Sequence, residues 1–329
     1  MTYSISYTYC TDCNLFKIDS ATGVVTFITS PDFERPADSD HDNVYKLEVS
    51  VSDGLDTRKK EVTITVTNGI DPINTDLNGD HQSDIFLQNG TDGTCYVWQM
   101  NGLALKDKGS GEVGWKPGAD WVARATGDFD GDGKSDLFLQ NVKDGLGYIW
   151  EMDGLNLKED GGGEVGWKAG AEWVAKASGD FDGDGKSDIL LQNVNDGGCY
   201  IWGMNGLGLK DGGSGEIAWK PGANWVARAT GDFDGDGKSD ILLQNVKDGG
   251  CYIWEMKGLA LKDGGSGEIA WAPGKEWQVA DTGDGKSDIL LQNVDTGGCY
   301  IWEMDGLNLK VGGSGEVGWK PGPDWLVSA

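Results

Sequence analysis

The apolar and polar positions of this chain repeat at long range. From residue 76 each unit opens on an Asp- and Gly-rich run and then offers four short extended segments separated by Gly and Asp turns. In one unit these segments fall at 173–178, 188–192, 199–204 and 216–219, with no helical spacing of apolar residues between them. The units start at Asp76, Asp128, Asp180 and Asp232, 52 residues apart, and the fifth is shorter. Residues 1–75 lack this period but alternate as strands at 3–9, 16–18, 24–27, 45–52 and 61–67.

All 15 Trp obey the same ruler, in three columns. These are Trp98, Trp150, Trp202, Trp254 and Trp302; Trp115, Trp167, Trp219, Trp271 and Trp319; and Trp121, Trp173, Trp225, Trp277 and Trp325. A period of about 50 residues with four strands per unit is the pattern of propeller blades, whose sheets cover one another's faces. The expected fold is all-β: a five-bladed β-propeller of four-stranded blades over 76–329, after a small N-terminal β-sandwich over 1–75. The Trp columns are expected to fill the spaces between blades. The first unit has no Trp strand before its Asp run, and residues 324–329 supply a spare one, so the C-terminal strand is expected to close the first blade and the ring.

Composition narrows the partners. With 54 acidic and 27 basic side chains the net charge is −27, which repels nucleic acid and anionic lipid and favours a cation. No apolar run is long enough to span a bilayer, and the first residues lack a signal-peptide pattern. Cys95, Cys199, Cys251 and Cys299 recur at one repeat position, as small buried strand residues would. Cys10 and Cys13 form an isolated CxxC, read as a local disulfide or two free thiols rather than a metal or redox centre.

The chemistry lies in the Asp-rich runs. Asp128, Asp130, Asp132 and Asp136 stand within nine residues, as do Asp180, Asp182, Asp184 and Asp188, and Asp232, Asp234, Asp236 and Asp240. Such crowding is unfavourable without a counter-ion, and an oxygen-only donor set with room for 6–8 ligands suits Ca2+ better than Mg2+ or a soft metal. An EF-hand is excluded, since its twelfth position falls on Leu139, Leu191 and Leu243. The backbone carbonyls of Lys134, Lys186 and Lys238 are the expected seventh-place ligands. The first unit offers Asp76, Asn78, Asp80, Gln82 and Asp84, a weaker version of the same site. The fifth keeps only Asp284 and Asp288 and is expected to be empty, leaving about four calcium sites.

The run GDFDGDGKSDILLQN followed by CYIWEM resembles the FG-GAP or VCBS-type repeats of bacterial surface proteins and, more distantly, integrin α-chain propellers. The resemblance implies calcium held in the loop between two strands of a blade, at the four loops just named. The N-terminal stretch from LFKIDSATGVVTF to VTITVTNGIDP resembles a bacterial cadherin-like module that opens at the second strand, which implies calcium-binding roles for Asp32, Glu34, Asp53 and Asp71. Asp38, Asp40 and Asp42 read as a solvated acidic loop.

No nucleophile with a base is legible: His41 lies in an acidic loop and His81 in the first Asp-rich run, and no GxSxG, HExxH or phosphate-cradling loop is present. The expectation is a non-enzymatic calcium-binding protein of the cell surface or exterior. It would serve in adhesion or display, with a cell-surface protein or glycan as partner. The alternative is a calcium-dependent lectin that holds sugars in Trp- and Asp-lined grooves between blades.

Overall fold

A computed structural model describes residues 1–6, 11–28, 38–39, 44–65, 75–101, 104–106, 108–270, 272–282, 289–296, 298–305, 307–310 and 314–316. The chain divides into two compact units, 1–71 and 72–329. Among the described residues there is no α-helix, and no helix long and apolar enough to cross a membrane.

In the N-terminal unit Val44–Ser52 pairs antiparallel with Thr2–Ser6 on one side and with Thr57–Thr65 on the other. A separate hairpin joins Phe16–Ile18 to Val25–Phe27. Phe16, Phe27 and Tyr45 meet through tilted and edge contacts and, with Ile5 and Leu47, form the core. The strand expected at 61–67 begins earlier, at Thr57, because the turn at Asp53 zips the polar stretch Thr57 to Glu61 into register with Val44–Ser52. The Asp53 carboxylate accepts the amides of Leu55 and Asp56, so its place here is that of a turn residue. Asp38 is buried rather than solvated. Asp32, Glu34, Asp40, His41, Asp42 and Asp71 lie outside the described residues. Cys13 is disulfide-bonded, and Cys10 lies outside the described residues.

The repeat unit contains four consecutive four-stranded antiparallel sheets, preceded by a three-stranded one formed by Ile85–Gln88, Cys95–Trp98 and Gly111–Glu112. The sheet opened by Trp173–Gly179 continues through Asp188–Asn193 and Cys199–Trp202 to Gly215–Glu216, and its neighbours follow the same order. The strand that would complete the first sheet, at 324–329, lies outside the described residues.

Both faces of each second strand are buried, which is why these strands read as apolar runs instead of alternating. In Asp136–Asn141, Leu137 and Leu139 pack with Leu77 and Val97 of the preceding repeat, whereas Phe138 joins Ile189, Leu191 and Trp202 of the following one. No sheet therefore owns a complete core, and consecutive repeats must stack to make one.

A second link is polar. Gln140 donates to the carbonyl of Trp173 at 2.8 Å and accepts the Ala175 amide at 3.1 Å, and Gln88, Gln192 and Gln244 clamp the next first strand in the same way.

The Trp columns do not share one role. Trp150, Trp202, Trp254 and Trp302 are buried between sheets as expected, whereas Trp98 of the same column is partly exposed. Trp115, Trp167 and Trp219 are about half exposed, each lying over the buried Trp of the next sheet. Large rings at equivalent positions suited both uses, and spacing alone did not separate them.

Candidate metal centre

The second, third and fourth Asp-rich runs each link the first strand of a sheet to its second, and their shape follows from the first Asp. Asp128 accepts the amides of Gly131 at 2.6 Å, Asp132 at 3.1 Å and Gly133 at 2.8 Å, which curls the run around one carboxylate. Asp180 and Asp232 do the same with the amides of 183 to 185 and of 235 to 237. The curl needs left-handed backbone at Gly131 and Gly133, with φ of 85° and 83°, where glycine carries no Cβ penalty.

The last Asp of the run anchors it to the sheet. Asp136, with no exposed surface, accepts the Phe129 amide at 3.0 Å on one oxygen and the Met152 amide at 2.8 Å on the other. Asp188 and Asp240 bind Phe181 and Met204, and Phe233 and Met256, in the same manner. After Trp202 the chain leaves the sheet: Met204–Asn205 pairs with Gly208–Leu209, so the segment expected at 199–204 divides into two strands.

Burial pushes the carboxyls of Asp136, Asp188 and Asp240 up to about 7, against the pull of those amides. Burial likewise raises Asp128 and Asp232. A cation beside these groups would reverse the shift.

Three clusters of carboxylate oxygens lie within 4.8 Å of one another: Asp128, Asp130 and Asp136; Asp180, Asp182 and Asp184; and Asp232, Asp234 and Asp240. Each can hold a metal ion, and the all-oxygen donor set fits a hard cation. Asp132 and Asp236 stand beside their clusters, each accepting the amide of the Lys two residues on. Asp188 closes its run from the sheet side. The ammonium groups of Lys134, Lys186 and Lys238 bind elsewhere, to Asp153, Asn205 and the Asp182 carbonyl.

The first run does not gather three carboxylates. Asn78 donates its side-chain amide to Asp84 at 2.9 Å, and Asp76 is taken up by the amides of Gly79, Asp80 and His81. Gln82 contributes its backbone amide to Asp80. His81 occupies the place of Gly133 and adopts a φ of 61°. The expected weaker fourth site is thus a loop of the same shape without the cluster. Asp284 and Asp288 lie outside the described residues.

Sequence reading missed a cation that the chain itself supplies. Lys158 reaches back from the hairpin after the third strand to Asp130 at 2.5 Å and Asp132 at 2.7 Å. Lys210 does so to Asp182 at 2.5 Å and Asp184 at 2.6 Å. Lys262 pairs with Asp234 and Asp236, and Lys106 with Asp80. Burial opposes the charge on Lys158, but the two carboxylates outweigh it and hold its pKa above the ordinary lysine range. The signal was present: each of these lysines follows the first Asp of its unit by the same interval. Glu151 and Glu255 were also missed; burial and the nearby Asp130 and Asp234 raise their carboxyls, so they extend the acidic field of two clusters.

Residues 76–139 and 180–243 match the family model of the FG-GAP-like repeat. No curated protein matches the sequence. Among solved structures it is similar to a chain of the Photorhabdus luminescens Tc holotoxin pore, at 11% identity and a TM-score of 0.40, over 92% of this chain and 15% of that one. It is also similar to a quinonprotein alcohol dehydrogenase-like protein from Bacteroides thetaiotaomicron, at 10% identity and a TM-score of 0.35, over 98% of this chain and 89% of that one. The chain thus spans a small part of the first of these.

Proposed function

We propose that the protein is a non-catalytic calcium-binding β-propeller of the cell surface or exterior, used for adhesion or display and made firm by calcium in the loops of its second, third and fourth repeats. The observation that carries this reading is the recurrence of one carboxylate cluster in three consecutive repeats. FG-GAP-like repeats are typical of extracellular proteins, and calcium is plentiful outside cells, which supports the reading. The ligands would come from Asp128, Asp130, Asp132 and Asp136 and their counterparts, and the ion would supply the positive charge that their burial demands.

For such a site to fill, the ammonium of Lys158, Lys210 or Lys262 must withdraw from the carboxylates it holds. The loops of consecutive repeats are tied together, with the Ser187 amide donating to the Asp128 carbonyl at 2.6 Å and the Ser239 amide to the Asp180 carbonyl at 2.8 Å. Order imposed on one loop is therefore passed to the next. The test is thermal unfolding with calcium and with EDTA: the midpoint should rise with calcium by mass action, and an unchanged midpoint would reject the reading.

A second reading, a lectin, is favoured by one pocket of about 250 Å³ lined by Trp167, Trp173, Tyr200, Trp202 and Glu216. Its aromatic faces suit sugar stacking and Glu216 suits sugar hydroxyls. A glycan array on the parent and on Trp167→Ala separates the two readings: sugar binding lost with that ring supports the lectin.

A further inference from the structure

The first strands of three consecutive sheets, Trp121–Gly127, Trp173–Gly179 and Trp225–Gly231, lie side by side. Each carries a bulge: the register with its partner shifts between Ala123 and Ala125, between Ala175 and Ala177, and between Ala227 and Ala229. The extra residue is Arg124 in the first, Lys176 in the second and Arg228 in the third. A bulge leaves its residue out of the ladder and re-aims the side chain, and such devices gather beside sites. Here the bulge places a basic residue at the same point of three adjacent strands.

Among the described residues these charges have no counter-charge. No ion pair among the described residues involves Arg124, Lys176 or Arg228, although all three are partly buried. The Nε atoms of Arg124 and Arg228 are buried and make no hydrogen bond. Lys176 feels both arginines; burial and their charge pull its ammonium down from the ordinary lysine value. The other titratable groups that act on them are the thiols of Cys199 on Lys176 and Cys251 on Arg228. Burial pushes both thiols up to about 12, so they are neutral at physiological pH.

The omission is informative in a chain with 54 acidic side chains. Buried charges are normally paired, since an unpaired one carries a desolvation cost. Three unpaired like charges on adjacent strands add repulsion to that cost. The fourth first strand, Trp277–Thr282, has the same bulge but carries Ala280 there, so the basic line ends with Arg228.

We propose that Arg124, Lys176 and Arg228 form an anion-binding site for a multivalent oxyanion of the sulfate or phosphate class, on the line where the first strands of three sheets meet. Two guanidinium forks give directional, paired hydrogen bonds to tetrahedral oxygens, and the ammonium adds a point charge between them. A monovalent halide gains little from that geometry. The site is separate from the aspartate loops and of opposite sign, so it does not depend on the calcium reading.

The test is calorimetric titration of the full chain, exchanged into chloride buffer, with sodium sulfate at constant ionic strength. One saturable sulfate per chain is expected, weakened at least tenfold in Arg124→Gln/Arg228→Gln. Because that pair of changes can impair folding, Lys176→Met is measured beside it. Its loss of one crowded charge should weaken sulfate while leaving the midpoint in chloride unchanged or higher. No saturable heat with the parent chain overturns the proposal. So does equal sulfate affinity in parent and Lys176→Met, or a lower midpoint for Lys176→Met with sulfate binding intact.

Discussion

The first Asp-rich loop and its three successors share a backbone and differ in charge. In all four, the leading Asp collects the amides of the curl and the closing Asp holds a Met amide of the following hairpin. Yet only the later three bring carboxylates together, because Asn78 replaces the third-place Asp and turns a repelling oxygen into a donor for Asp84. The comparison separates two jobs that a reading of the motif merges. The ends of the run build the loop, and the middle residues build the cation site.

The largest expected effect comes from removing an end. Asp188→Ala strands the buried amides of Phe181 and Met204, and Asp84→Ala strands that of Met100. At roughly 1–3 kcal/mol for each unsatisfied buried group, Asp188→Ala should cost about 2–6 kcal/mol even in EDTA, measured by urea unfolding. A cost visible only with calcium would show that the closing Asp serves the ion alone.

Next is the stoichiometry. Asp130→Asn should make the second loop resemble the first and lower the number of calcium ions bound by one. Asn78→Asp with His81→Gly should raise it by one. Native mass spectrometry reads both, and a count unmoved by either change would break the distinction between ends and middle.

The lysines give a smaller effect of divided sign. Lys158→Met should lower the midpoint in EDTA, where its ammonium neutralises Asp130 and Asp132. With the competing charge gone, calcium should bind that loop about tenfold tighter, a change of about 1.4 kcal/mol. Weaker binding instead would mean that Lys158 positions the loop for the ion.

The smallest change is His81→Gly, which relieves a left-handed non-glycine residue and should stabilise by about 1 kcal/mol without adding a calcium ion. Urea midpoints check the first part and mass spectrometry the second.

Much of this architecture was legible in advance, because a period that carries Trp columns and apolar second strands can be satisfied only by sheets stacked on one another. The loops were legible for a related reason: alternate Asp residues followed by Gly specify the curl locally. The lysine partners were not, since Lys158 meets Asp130 only after two intervening strands and a hairpin bring it back. Nor was the bulge at Arg124, Lys176 and Arg228, which a two-residue alternation cannot register. The polar strand Thr57–Thr65 was half missed because its pairing comes from a turn rather than from an apolar face.

The most direct test of the account is calcium titration of carefully stripped protein by isothermal calorimetry. Saturation at three ions per chain, falling to two in Asp130→Asn, is the predicted result. The absence of both heat and bound calcium would contradict it, leaving the aspartate clusters neutralised by Lys158, Lys210 and Lys262 alone.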